Sequence, residues 1–221
     1  MKVIPILERG LKQRGDPKRK ACQIVGNLSS LTDPRDFVPY LPRLMPLVHV
    51  VLVDPVPEAR ATAAKTLGTL VERMGEDHFT DLVPRLLSTL KSETSAIDRQ
   101  GAAQGLSEVL SGLGMERLEG LLPDIISNSS SARPYVREGF MSLLVYLPAT
   151  FGPRFQPHLP KIVSPILNGL ADDETAVQDA AMKAGRMIIV NYSNRAVDLL
   201  LPELEAGMFS EGWKIRVRAS A

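Results

Sequence analysis

The segment DLVPRLLSTL, residues 81–90, places apolar side chains at Leu82, Val83, Leu86, Leu87 and Leu90. That spacing gathers them on one side of a helix. Pro84 falls inside the run, although proline lacks an N–H and is tolerated chiefly in the first turn of a helix. The same arrangement returns along the chain: VIPIL at Pro5, YLPRLMPLV at Pro42, LLPDII at Pro123, HLPKIV at Pro160 and LLPEL at Pro202. Successive prolines are 37, 42, 39, 37 and 42 residues apart. Self-similarity at about forty residues marks a stacked repeat array, in which each unit buries its apolar side against its neighbours.

A second feature is locked to the first. Arg19, Arg60, Arg99, Arg137, Gln178 and Arg216 follow the prolines by fourteen to eighteen residues. Three positions further on stand Cys22, Ala63, Ala102, Phe140, Ala181 and Ala219, five of them small enough for close helix packing. Between proline and arginine lie QRGDP, DPVPE, KSETS, SNSSSARP, ADDET and FSEG, whose Gly, Pro, Asp and Ser break helices and form turns. The pattern predicts first helices over 3–12, 37–53, 79–91, 115–128, 155–171 and 194–208. Second helices are expected over 17–31, 57–74, 96–113, 133–150, 174–191 and 211–221. No segment alternates with the period of a strand, so the expected class is all-α.

Proline in a first helix, Asp in the turn, then Val-Arg and a small residue resembles the HEAT repeat. YVREGF, AVQDAA and KIRVRAS carry the second-helix part, and ADDETAVQDAA carries turn and helix together. Armadillo repeats, with a third short helix, are the alternative; the TPR period of 34 residues is too short. The resemblance implies an α-solenoid of about six hairpins in a right-handed superhelical stack, over repeats 1–33, 34–75, 76–113, 114–151, 152–192 and 193–221. Gln178 and Phe140 depart from the pattern. Neither end reads as a polar capping unit, so the chain is expected to be a piece of a longer array.

Composition narrows function by exclusion. Apolar residues make up 44% and charged residues 23%, while aromatics are only 5%, so Leu, Val, Ile and Ala must build the core. The net charge is +1, which gives no global field toward nucleic acid or membrane. Cys22 is the only cysteine, which excludes an internal disulfide and fits a reducing compartment. The longest apolar run, LMPLVHVVLV at 44–53, is too short to span a bilayer. No secretory signal is legible at the start, so cytosol or nucleus is expected.

Catalytic chemistry has little to stand on. His49, His78 and His158 fall in three different repeats without a second His or Cys at ligand spacing. His49 reads as a packed or capping residue, His78 as a solvated loop residue, and His158 as a residue at a helix start without an obvious partner. Cys22 occupies the small-residue slot and reads as an inert buried thiol. The acidic run Asp172–Asp173–Glu174 complements a helix start. No phosphate-binding glycine motif is present. The expectation is a protein that is not an enzyme, with no cofactor, metal, small-molecule substrate or membrane.

What remains is surface. The first turn, LKQRGDPKRK, holds Lys12, Arg14, Lys18, Arg19 and Lys20 against Asp16, and Arg9 lies one turn earlier. These six cations are the candidate phosphate contacts for folded RNA, which needs no interleaved aromatics. Equally, they are ordinary solvated turn residues, with Arg19 filling the arginine slot of its repeat.

The first seventy residues are more distinctive than a generic repeat. VIPILERGLKQRGDPKRKACQIVGNLSSLTDPRDFVPYLPRLMPLV followed by VDPVPEARATAAKTLGTL resembles the HEAT domain of fungal elongation factor three. With further repeats in place of ATPase motifs, the chain is similar to the family of large translational activators of the general amino-acid control kinase (general control nonderepressible protein one). That resemblance implies a cytoplasmic scaffold that binds stalled or collided ribosomes, through rRNA and ribosomal proteins, in the amino-acid starvation response. It further implies other translation-control partners and activation of the kinase that phosphorylates the alpha subunit of initiation factor two. The kinase is expected to contact segments outside this chain. The alternative is a generic HEAT adaptor of the nuclear-transport or phosphatase-scaffold type, whose ligand is protein alone.

Overall fold

The computed structural model of the protein describes residues 2–93 and 95–192. The expected sixth hairpin, with Pro202, Lys214, Arg216, Arg218 and Ala219, lies outside the described residues. Among the described residues the secondary structure is helical, with no strand. The helices are α1 (Ile4–Leu11), α2 (Asp16–Leu31), α3 (Pro34–Phe37), α4 (Leu41–Leu52), α5 (Pro57–Met74), α6 (Leu82–Leu90), α7 (Ala96–Leu113), α8 (Met115–Ser129), α9 (Pro134–Phe151), α10 (Leu159–Leu170) and α11 (Thr175–Asn191). None of them is long and apolar enough to cross a membrane.

The second helices fall where the turn chemistry puts them. Pro17, Pro57 and Pro134 stand in the first turns of α2, α5 and α9, where the missing N–H has no partner to lose. At α7 the Ser95 side chain instead accepts the Asp98 N–H at 3.2 Å, an N-cap with an acidic residue in the first turn. Gly75 and Gly114 end α5 and α7 with φ of +88° and +99°, and their N–H groups return to Val71 and Leu110. A side chain would be strained in that left-handed region.

The register prolines resolve into two kinds. Pro5, Pro42 and Pro160 are second residues of α1, α4 and α10, and Pro84 is the third residue of α6. All four therefore remove a donor that had no helical acceptor. Pro123 instead lies in the interior of α8, and Pro46 and Pro165 lie inside α4 and α10. Three first helices, α4, α6 and α10, start three or four residues later than expected. Residues 38–40 and 152–158 are 3-10 turns, because Pro39 in one and Pro153 and Pro157 in the other cannot donate the bonds an α-helix needs.

The chain divides into two compact units, Met1–Leu118 and Glu119–Ala221. In the first, α1, α4 and α6 pair with α2, α5 and α7, and the second helices α2, α5 and α7 pack on one another in series. Leu44, Val48, Leu67, Leu70, Leu90, Leu106 and Leu110 are fully buried there. Each buried leucine of this kind contributes about 2 kcal/mol. Glycines set the helix spacing: a Cβ on Gly68 would lie 2.7 Å from the Glu108 carbonyl oxygen, and one on Gly101 only 2.0 Å from that of Leu52. In the second unit α11 packs on α9 and α10. Phe140, Phe151 and Phe155 are buried in it, so Phe140 fills a slot that holds Cys22, Ala63, Ala102 and Ala181 in the other described repeats. All four of those are buried as well.

Candidate nucleic-acid interface

The first turn runs from Lys12 to Gly15, whose φ of +73° lets the chain reverse into α2. The six candidate cations separate into two groups on it. Arg9, Lys12 and Arg14 are exposed and form no ion pair among the described residues. Arg19 and Lys20 both turn back on Asp16, each at 2.7 Å. Their hydrogen bonds, Lys20 first, hold the Asp16 carboxyl below its ordinary range. Lys18 leaves its own repeat and donates to Asp54 Oδ2 at 2.7 Å. Its side chain is 15% exposed and that of Asp54 10%, so this pair is largely withdrawn from water.

Asp54 therefore joins a cluster that the linear sequence showed with Asp16 as its single acid. It also accepts the Val56 N–H at 2.9 Å, which shapes the turn ahead of α5. Burial alone would raise its carboxyl, but the Lys18 ammonium and the Val56 N–H outweigh that and keep it low. A sequence signal for this partner exists: Asp54 and Asp172 each stand six positions before the arginine-slot residues Arg60 and Gln178. Asp172 does accept the Arg137 guanidinium in bidentate fashion, at 2.7 and 2.8 Å, and the Glu174 N–H at 2.9 Å. The acidic run at 172–174 thus does more than favour a helix start.

The arginine slot has a defined task. Arg60 Nη1 donates to the Asp54 and Pro55 carbonyls at 2.8 and 3.0 Å, and Arg99 Nη1 to that of Ser92 at 3.2 Å. Arg137 Nη1 donates to the carbonyls of Ser131 and Ala132 at 2.8 and 3.2 Å. Gln178, the apparent exception, donates to the Asp172 carbonyl and so makes the same clamp with an amide. Arg19 is the described residue of this slot that turns elsewhere, to Asp16.

Three of the remaining candidates for chemistry, His49, His158 and Cys22, make internal contacts. His49 is half-buried; its Nδ1–H donates to the Met45 carbonyl at 2.7 Å, and Nε2 accepts from Arg85. Burial first, and the Arg85 charge besides, lower its pKa. His78 is exposed on a 3-10 turn. His158 differs from expectation: it is buried, its Nε2 lies 3.4 Å from Glu119 Oε1, and its ring meets Phe155 edge-on at 5.7 Å. Glu119 is thirty-nine residues upstream, so that partner was invisible in the local sequence. Cys22 is fully buried, and desolvation pushes its thiol up to about 11. No group of three or more His, Cys, Asp and Glu among the described residues is placed to hold a metal ion.

Comparison with known proteins gives the family of the chain. Residues 2–81 match the Elongation factor 3/GNC1 HEAT repeat family, and residues 99–220 match the EF3 N-terminal HEAT repeat family. The chain belongs to the EF3 N-terminal HEAT repeat family. It is 52% identical over 216 residues to the Saccharomyces cerevisiae protein named eIF-2-alpha kinase activator GCN1. It is 46% identical over 217 residues to the human protein named Stalled ribosome sensor GCN1. Each alignment covers 97% of the chain but 8% of the relative, so the chain spans about a twelfth of their length. Among solved structures, Kap121p matches 99% of this chain and 24% of its own with a TM-score of 0.60. At 17% identity that likeness concerns the HEAT-type fold alone.

Proposed function

We propose that the chain is a segment of a non-catalytic, ribosome-associated scaffold that senses stalled or collided ribosomes. In this reading it promotes activation of the kinase that phosphorylates the alpha subunit of initiation factor two. One observation carries it: proteins bearing those two names align with nearly the whole chain at 46–52% identity. The setting that follows is the cytoplasm, and the kinase meets segments beyond this one. Within the chain, Arg9, Lys12 and Arg14 are the proposed contacts to ribosomal RNA. They are exposed and have no ion-pair partner among the described residues, so each can neutralise a phosphate without first breaking a bond with one of these. Lys18, Arg19 and Lys20 are secondary contacts, because Asp54 and Asp16 already hold them. The mechanism is mechanical: many weak contacts along a repeat array add up through multivalency.

Cosedimentation with ribosomes at low and moderate salt tests the local claim. Binding should fall as salt rises, and Arg9→Glu with Lys12→Glu and Arg14→Glu should abolish it while circular dichroism stays unchanged. Equal binding of the triple variant at every salt would transfer the role to another surface. Binding that ignores salt would favour an adaptor whose ligand is protein alone.

A further inference from the structure

Asp16 is the first residue of α2, and both of its carboxylate oxygens are taken. Oδ1 accepts from Arg19 Nη2 at 2.7 Å and from Nε at 3.1 Å, and Oδ2 meets Lys20 Nζ at 2.7 Å. One acid thus covers two of the six cations of the first turn. The arrangement is peculiar to this hairpin. The second helices α5, α7, α9 and α11 begin with Pro57, Ala96, Pro134 and Thr175 instead of an acid. The residues that follow their slot positions as Lys20 follows Arg19 are Ala61, Gln100, Glu138 and Asp179, none of them a cation. Stacking of the hairpins therefore requires neither the acid nor the second cation.

Arg19 is the sharper sign. Arg60, Arg99, Arg137 and Gln178 spend the same position on turn carbonyls, whereas Arg19 turns to Asp16. Nor does the helix start call for these partners, because a carboxylate in the first turn favours the dipole without a cation beside it. The pairs are also easily exchanged. The side chains of Asp16, Arg19 and Lys20 are 51%, 37% and 65% exposed, and ion pairs in water contribute little to stability. A contact of this kind fastens little, yet it removes one unit of charge from the two that Arg19 and Lys20 carry.

We propose that Asp16 masks Arg19 and Lys20 from phosphate, and that their release adds two contacts to those of Arg9, Lys12 and Arg14. The inference rests on the ribosomal RNA contacts proposed above. Arg9, Lys12 and Arg14 make the encounter, and only a surface that brings phosphate within reach of Arg19 or Lys20 displaces the carboxylate. Asp16 thereby lowers attraction to polyanions at large and favours a surface of matching shape, a repulsive element that serves selectivity.

Cosedimentation of the full chain with ribosomes across a potassium chloride series tests this, with affinity plotted against salt on logarithmic axes. Each added phosphate contact steepens that slope by roughly 0.7–0.9, so Asp16→Asn should steepen it by about 1.5 and tighten binding about fivefold at moderate salt. Glu58→Gln is the matched control. Glu58 is exposed, lines with Asp16 and Arg19 a cavity of about 480 Å³ between this turn and the next, and forms no ion pair among the described residues. Its neutralisation removes the same charge without freeing a cation and should leave the slope within about 0.3 of wild type. Adding Arg19→Gln and Lys20→Gln to Asp16→Asn should return the slope to the wild-type value, with circular dichroism unchanged. Equal slopes for Asp16→Asn and Glu58→Gln would overturn the mask, even where Arg9→Glu/Lys12→Glu/Arg14→Glu abolishes binding and so upholds the RNA contacts. A triple variant that binds as wild type, beside a steeper slope for Asp16→Asn, would uphold the mask and move the RNA contacts to Arg19 and Lys20.

Discussion

The Lys18 ammonium and the Asp54 carboxylate meet at 2.7 Å across thirty-six residues of sequence, and both are mostly shielded from water. A cation that looks in sequence like one more element of a basic patch is therefore a fastener between the first two hairpins. Lys12, six positions earlier, has no ion-pair partner among the described residues.

Replacing these two lysines should separate the roles. Lys18→Met leaves Asp54 shielded and unpaired, which should cost about 2 kcal/mol in urea denaturation. Lys12→Met should leave stability within about 0.5 kcal/mol of wild type while weakening salt-sensitive ribosome binding. Equal midpoints for the two variants would contradict the assignment of Lys18 to a structural pair.

Acid should loosen both units through the same kind of joint. Asp54 and Asp172 are held below their ordinary value of 3.8: burial opposes this, and Lys18, Arg137 and turn N–H groups overcome it. A carboxylate depressed in the fold stabilises the native state above its unfolded value and loses that contribution as pH falls through the folded one. Stability should stay level from neutrality to about pH 5 and decline below about pH 4. Asp54→Asn with Asp172→Asn should lower the plateau and flatten that decline. An undiminished acid slope in the double variant would place the effect on other carboxylates.

Two glycines should respond in opposite directions to alanine. At Gly101 the new Cβ would meet the Leu52 carbonyl oxygen at 2.0 Å, a backbone atom that cannot move without shifting α4. Gly101→Ala should cost about 3 kcal/mol through that overpacking. Gly120, within α8, has nothing within 4 Å of its added Cβ, so Gly120→Ala should stabilise by about 0.5–1 kcal/mol through helix propensity. Thermal melts of both variants check the pair, and a stable Gly101→Ala would disprove the close approach of α7 to α4.

Cys22 should be chemically silent in the native protein. Full burial, together with a thiol pushed up to about 11, leaves almost no accessible thiolate at neutral pH. Iodoacetamide labelling should therefore follow the unfolding of the first unit across a urea series. Rapid labelling in buffer would show that the α2–α5 contact opens more readily than its packing implies.

Much of this architecture is legible from residue order. The boundaries of α5 and α7 agree with the turn residues to the position, and those of α2, α9 and α11 to within one. Capping and turn chemistry are local, which is why they can be read locally. The family was legible for the same reason: VIPILERG through KTLGTL falls inside the stretch matched by the first family model. Hairpins preceded by additional prolines were less legible. Apolar spacing extends through residues 37–40 and 155–158, yet Pro39 and Pro157 divert the backbone into tighter turns. The candidate site was the least legible part. Its six cations were visible in sequence, but Asp54 and Glu119 reach their partners Lys18 and His158 only through the stacking of hairpins.

The clamp made by Arg60, Arg99, Arg137 and Gln178 grips peptide carbonyls and asks nothing of the side chains those carbonyls belong to. That explains how DPVPE, KSETS, SNSSSARP and ADDET can occupy equivalent turns with so little in common. Each unit by itself has an edge of such turns whose composition can change while the joints beneath it hold. New ligands can be acquired on that edge one substitution at a time, in a chain that stays folded throughout.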